Sequence, residues 1–197
     1  MPIKIYPNKN LLRPCSNSIT ENNIEKAVNH LIEMKNIVEE RDALGIASNQ
    51  LGDNYKAIVA KLNGMYTIML NPRIIESEGD VLDQEGCLSF PGVLANINRY
   101  FKIKVEWEDM SLKTRVNELT HLESVIVQHE VDHLLGVSIY QRAGKATKLM
   151  ILKDLKKGTR RYNKILELEQ KQKIMKDKIE EMDRKNKILT DAELKFE

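Results

Sequence analysis

The sequence predicts an α+β fold, with antiparallel sheets packed around a central His-Glu-x-x-His helix, an amphipathic helix before them and a long C-terminal helix after. Three observations predict it. Apolar residues recur at three- to four-residue spacing over 24–38 and again over 119–133, which is the period of a buried helix face. Between these stretches, β-rich segments are joined by connections too short for the crossover helices that a parallel sheet requires. All five Pro lie at or before position 91 and the last 53 residues hold none, so a turn-rich body precedes a helix.

Composition sets the outer bounds. With 197 residues, 42% of them hydrophobic, the chain can bury the core of one ordinary domain and carry an appendage. Its longest apolar runs, such as LMIL at 149–152, fall far below the roughly 20 residues that cross a bilayer, so no membrane partner is expected. Two Cys cannot staple a disulfide scaffold, and residues 1–10 lack the apolar stretch of a secretory signal. A cytoplasmic, reduced protein is the expectation. The net charge of +2 hides a division: residues 145–197 hold 16 Lys/Arg against 10 Asp/Glu, and residues 1–144 hold 15 against 19. This separates a body, 1–144, from a basic helical extension, 145–197.

The elements follow in order. Residues 1–17 are broken by Pro7 and Pro14 and read as extended chain. Ser18 with Glu21 three residues later suggests a capping box, after which Ile24, Val28, Leu31, Met34 and Val38 form the apolar face of a helix ending before Gly45. His30 belongs to that helix as a packed residue. From Tyr55, the runs YKAIVAKL, MYTIMLNP, RIIESE and RYFKIKVEWED read as strands, with turns expected at Leu62-Asn63-Gly64, Asn71-Pro72 and Glu78-Gly79-Asp80. A second helix is expected from about Asn117 to Leu135, ended by Gly136. In the extension, Ile165, Gln172, Ile179 and Asn186 alternate with Leu168, Met175, Met182 and Leu189 at heptad spacing. A homodimer through 165–189, a helix packed on the body, and a basic helix docked on a polyanion are all open on this pattern.

The chemistry concentrates in three segments. In Gln128-His129-Glu130-Val131-Asp132-His133, two His at i and i+4 share one helix face, so both imidazoles can reach one metal while Glu130 handles the proton of a water. Asp132 can either fix a ligand imidazole by hydrogen bond or sit at the surface. A catalytic metal needs a third protein ligand, and Cys87, in Glu85-Gly86-Cys87-Leu88-Ser89, is the candidate. The competing readings are two packed core His, or a nucleophilic Cys87 with His129 as its base. Cys15 reads as an incidental thiol. In Leu44-Gly45-Ile46-Ala47-Ser48-Asn49-Gln50, small residues allow a ligand to approach the backbone and the Gln50 amide can donate to an oxyanion.

Together, GIASNQ at 45–50, EGCLS at 85–89 and QHEVDH at 128–133 resemble the three signature motifs of the peptide deformylase family, over roughly residues 1–142. The resemblance implies hydrolytic removal of the formyl group from the N-terminal formyl-methionine of nascent polypeptides. It implies one divalent metal on Cys87, His129 and His133: physiologically Fe(II), with Zn(II), Ni(II) or Co(II) accommodated in a purified sample. Glu130 would carry the proton, Gln50 and the Leu88 backbone N–H would hold the oxyanion, and Gly45 would offer backbone hydrogen bonds to the peptide. Leu44, Leu122, Val125, Ile126 and the His129 ring would receive the methionine side chain. Arg99 would pair with Glu85. The chain departs from the family pattern at Ala43, Ser48 and Leu94. A ribosome partner through the basic helix is a further expectation. Another HExxH metallohydrolase or peptidase, or a noncatalytic peptide-binding protein of the same fold, are the alternatives.

Overall fold

The computed structural model describes residues 3–193, with side chains through 182 and at 184. Its order is α1 (Ile24–Glu40), β1 (Gly45–Ala47), β2 (Ala57–Leu62), β3 (Met65–Gly86), β4 (Leu94–Glu108), β5 (Thr114–Thr120), α2 (His121–Leu134), α3 (Ile139–Arg142) and α4 (Lys145–Glu193). The strands form one antiparallel sheet in sequence order, β1-β2-β3-β4-β5, with β1 at an edge.

α1 buries Ala27, His30, Leu31, Met34 and Val38, the periodic face read from the sequence. The expected capping box is not used, and the helix starts at Ile24. Residues 18–23 instead close a turn, in which Thr20 N donates to Asn23 Oδ1 (2.8 Å) and Asn23 Nδ2 donates to Ser18 O (2.9 Å). Asn23 satisfies the local backbone first, which is the competition that keeps Asn out of helix interiors.

Leu62-Asn63-Gly64 does turn the chain: Asn63 and Gly64 both take positive φ, at 49° and 76°, as a two-residue hairpin of type I′ requires. Asn71-Pro72 and Glu78-Gly79-Asp80 do not. Both lie inside β3, a 22-residue strand paired along β4. Pro72 falls where the register shifts between Leu70 and Arg73, so its missing N–H costs the ladder nothing. The Asn71 amide holds the incoming chain, exchanging hydrogen bonds with the Ile19 N–H (2.9 Å) and carbonyl (2.7 Å). A long partner strand thus overrides local turn chemistry.

The second helix begins at His121, later than expected, because residues 117–120 pair with β4 as the end of β5. It stops where Gly136 was expected to stop it. Gly136 takes φ 73°, its N–H reaches the His133 carbonyl (2.9 Å), and the Val137 N–H reaches that of Asp132 (2.9 Å). α2 packs on one face of the sheet with Ile58, Met69, Ile103 and Val105, while α1 packs with Val59 and Leu70 in a second cluster. A third cluster joins Phe90, Val93 and Ile97 to Ile139 and to Ile151 and Leu155 of α4. The extension is helical as expected, and its first turns are part of the core.

Candidate metal centre

α2 is the structural axis of the site. Eleven of its fourteen residues are buried, and its interior turn points His129 and His133 toward the loop that follows β3. There, Cys87 Sγ lies 3.2 Å from His133 Nε2, and the ligand atoms of Cys87, His129 and His133 all fall within 4.8 Å of one another. One thiolate and two imidazoles on a helix and a facing loop make a three-ligand donor set that fits a catalytic divalent ion and leaves a coordination position for water or substrate.

Around the ligands sits a buried ionic network. His129 Nδ1 is 2.6 Å from Glu85 Oε2, which leaves Nε2 for the metal. Arg99 donates to both oxygens of Glu85, at 2.6 and 2.9 Å, and to Asp132, which also receives Arg142. The expected Arg99–Glu85 pair therefore forms. Asp132 binds neither imidazole; Glu85 takes that role. Burial raises the Glu85 carboxyl, but Arg99 and His129 outweigh it and hold it at about 2. Burial pushes down both His; at His129 the neighbouring Cys87 and Glu85 reverse the shift, while at His133 the positive neighbours His129 and Arg99 add to it. His133 is thus a neutral imidazole with a lone pair to give.

Glu130 is fully buried beside the ligands, and burial pushes its carboxyl up to about 7. Its Oε2 has no hydrogen-bond partner among the described residues, and its Oε1 lies so close to β1 that a Cβ on Gly45 would stand 2.6 Å from it. Gly45 is needed here for close approach. β1 then leads into a tight 3-10 turn, Ser48–Gln50, all three residues buried. Gln50 Oε1 accepts from the Ala47 N–H (2.8 Å), which fixes the amide so that Nε2 donates to Ser89 Oγ (3.1 Å) and lies 3.7 Å from Cys87 Sγ. The Asn49 side chain donates to the His133 carbonyl, tying this turn to α2. Ser48 finds its partner in α1: its Oγ lies 2.7 Å from His30 Nε2, while His30 Nδ1 faces Asp53 at 3.0 Å outside hydrogen-bond geometry. Burial lowers the His30 pKa, so a neutral imidazole locks α1 to the turn.

A cleft of about 640 Å³ opens over these groups. Leu44, Gly45, Gln50, Cys87, Leu88, Leu122, Val125, Ile126, His129 and Glu130 all line it, whereas His133 lies behind them. Within the loop, Phe90 N donates to Cys87 O (2.9 Å) and Ser89 O accepts from Tyr6 N (3.0 Å), leaving the Leu88 N–H without a partner among the described residues. Cys15 is remote, buried against α2, and burial raises its thiol to about 11. Sequence reasoning missed Ser89 as the anchor of Gln50, Glu85 as the partner of His129, and Tyr162 of α4 in the cleft lining. The first two adjoin motif residues and were findable; nothing in a basic helix marks the third.

Comparison with known proteins agrees with this geometry. Residues 1–149 match the family model described as polypeptide deformylase. The chain is 31% identical over 183 residues to the peptide deformylase of Aquifex aeolicus, covering 89% of this chain and 97% of that one. It is 32% identical over 139 residues to that of Desulfotalea psychrophila, covering 68% and 82%. The crystal structure of peptide deformylase from Thermus thermophilus superposes with a TM-score of 0.70 at 29% identity, over 83% of this chain and 97% of that one. A Cys and two His gathered under one cleft, on a fold and a sequence shared along most of the chain, make this protein a member of the polypeptide deformylase family.

Proposed function

We propose that the protein hydrolyses the N-formyl group of formyl-methionine at the N terminus of nascent polypeptides, with Glu130 as the proton carrier. The observation that carries the assignment is the convergence of Cys87, His129, His133, Gln50 and Glu130 on one cleft bordered by the free edge of β1. Cys87, His129 and His133 would hold a divalent ion, which would supply Lewis acidity at the formyl carbonyl and lower the pKa of a water. Fe(II) is the proposed physiological ion, and Zn(II), Ni(II) and Co(II) suit the same donors.

The chain's own groups do the rest. Glu130, held near neutrality by burial, is matched to take a proton from the attacking water and return it to the leaving amine. The Gln50 amide, held at its oxygen by the Ala47 N–H, and the Leu88 backbone N–H, without a partner among the described residues, are the proposed donors to the oxygen that gains charge. Gly45 on edge strand β1 can pair with an extended peptide as a further strand would. Leu44, Leu122, Val125, Ile126 and the His129 ring supply the apolar pocket for methionine. The exposed basic surface of α4 is the proposed contact for the ribosome, and its heptad residues a second, homodimeric contact; of these, Asn186 and Leu189 have side chains outside the described residues. On this reading residues 1–144 carry every proposed catalytic group, and 145–197 form an extension whose first turns complete the core. Among the described residues no helix is long and apolar enough to cross a membrane, and a cytoplasmic site of action fits the substrate.

Glu130→Gln tests the assignment. The ligands stay, so metal analysis should find the wild-type content, while kcat/KM on a formyl-Met peptide falls about 10²- to 10⁴-fold. Near-normal turnover overturns the role of Glu130. Wild-type cleavage of internal peptide bonds in place of the formyl group overturns the reaction.

A further inference from the structure

α4 enters the cleft by a route that the metal chemistry does not use. After Ile151 and Leu155 are buried against Phe90 and Val93, the helix meets the β3–β4 loop at Gly158. The approach is backbone to backbone: a Cβ on Gly158 would lie 1.6 Å from the Pro91 carbonyl oxygen, and one on Gly92 would lie 3.2 Å from Gly158 Cα. Tyr162 stands one turn further on, on the same helix face. It is half-buried and lines the cleft together with Pro91, Gly92 and Leu94. Leu94, 64% exposed, lines the same cleft. The buried α2 residues Val125 and Ile126 border its floor.

Resting on the deformylase reading of this cleft, we infer that Tyr162 is a specificity residue: with Leu94 it forms an apolar rim that contacts the side chain of the third residue of a peptide beginning with formyl-methionine. An extended peptide advances about 3.3 Å per residue, so once its formyl group and methionine are seated on the floor, its second and third residues must continue along the cleft. A phenol ring and a Leu side chain gain affinity by covering apolar surface there and offer no charge to pair with. The rim therefore favours Leu or Phe over Asp or Lys in that stretch. Gly158 meets the loop between Cys87 and Leu94 at Pro91 and Gly92, so the helix seats Tyr162 beside the loop that carries Cys87.

The test compares purified full-length wild type, Tyr162→Ala and Tyr162→Phe on formyl-Met amide, formyl-Met-Ala, formyl-Met-Ala-Leu and formyl-Met-Ala-Asp. The wild type should prefer the Leu tripeptide to the Asp tripeptide. In Tyr162→Ala the kcat/KM ratio of the Leu tripeptide to the amide should drop about fivefold, through KM, while Tyr162→Phe keeps the wild-type ratio. Calorimetric titration with the unformylated Met-Ala-Leu reads the same contact without turnover and should weaken in parallel. A ratio unchanged in Tyr162→Ala, whether both substrates are spared or both lose equally, overturns the inference while the deformylase reading stands. A wild type inert toward all four formylated substrates overturns that reading and the inference with it.

Discussion

α2 and α4 both line the cleft, yet they reach it under opposite constraints. α2 is buried along eleven of its fourteen residues, and there His129 meets Glu85, His133 meets Cys87 and Asp132 meets both Arg99 and Arg142. α4 runs for 49 residues, and of its described side chains only Ile151 and Leu155 are buried. Farther along, Ile165, Leu168, Met175, Ile179 and Met182 are between 44% and 64% exposed. A helix can thus shape a site either by being enclosed or by touching it at one turn. In α2 the fold and the chemistry share the same residues, so a change to one disturbs the other. In α4 they are separable along the helix axis: docking ends at Gly158, the cleft contact is Tyr162, and the remainder is free to serve another surface.

The largest effect should come from the enclosed side. Arg99 is the cation between Glu85 and Asp132, and all three are nearly inaccessible. In Arg99→Met two buried carboxylates lose a partner, although Arg142 still reaches Asp132. A cost of about 3–5 kcal/mol in urea unfolding is expected. Glu85 also aligns His129, so metal affinity should fall about 10- to 100-fold in a competition titration. The linkage has a definite sign. Glu85 is held at about 2 against an ordinary 4.5, so its contribution is complete above about pH 4.5 and is lost as pH falls toward 2. That acid-sensitive part of the wild-type stability should shrink in the variant. Wild-type unfolding and metal affinity in Arg99→Met would break the claim that fold and chemistry are fused in α2.

At α4 the instructive substitution is Gly158→Ala. In an exposed helix this change stabilises by about 1 kcal/mol, because Gly carries the larger entropy loss. Here the added methyl would meet the Pro91 oxygen at 1.6 Å, which no rotamer relieves. Overpacking of this kind costs about 1–3 kcal/mol, so the seat on the loop should outweigh propensity and the midpoint should fall. A rise in the midpoint would mean that α4 does not dock where the close approach puts it.

The same contrast explains what could be read beforehand. The spacing of His129, Glu130 and His133 was legible because a helix face has a fixed period, and Gly136 because a left-handed residue has few candidates. Leu62-Asn63-Gly64 turned and Glu78-Gly79-Asp80 did not, since whether a turn former turns depends on a partner strand far away in sequence; β4 supplies one along much of β3. Asp132 was open between an imidazole bond and the surface for a related reason: Glu85 pairs with Arg99 as expected and also takes the His129 imidazole, while Asp132 is buried against Arg99 and Arg142. Ser48 departs from the family pattern and His30 looked like packing alone; the contact between them accounts for both. Tyr162 was invisible because a lone aromatic among Lys and Arg has no spacing to betray it.

The smallest effect should follow removal of residues 164–197, a cut placed just beyond Tyr162. The described side chains lost by it are exposed apart from the half-buried Leu166, and the buried anchors Ile151 and Leu155 with the Gly158 contact remain. Unfolding at low protein concentration should therefore change by no more than about 0.5 kcal/mol, and kcat/KM on formyl-Met-Ala-Leu should stay within about twofold of the full chain. Charge divides the helix at the same place: residues 145–163 hold seven Lys/Arg and one Asp/Glu, whereas 164–197 hold nine of each. The proposed ribosome association through the basic surface should accordingly survive the cut in a sedimentation assay, while the proposed self-association through the heptad residues should be lost. A loss of several kcal/mol, or of tripeptide turnover, would mean that the outer part of α4 supports the body after all and that the helix cannot be divided at Tyr162.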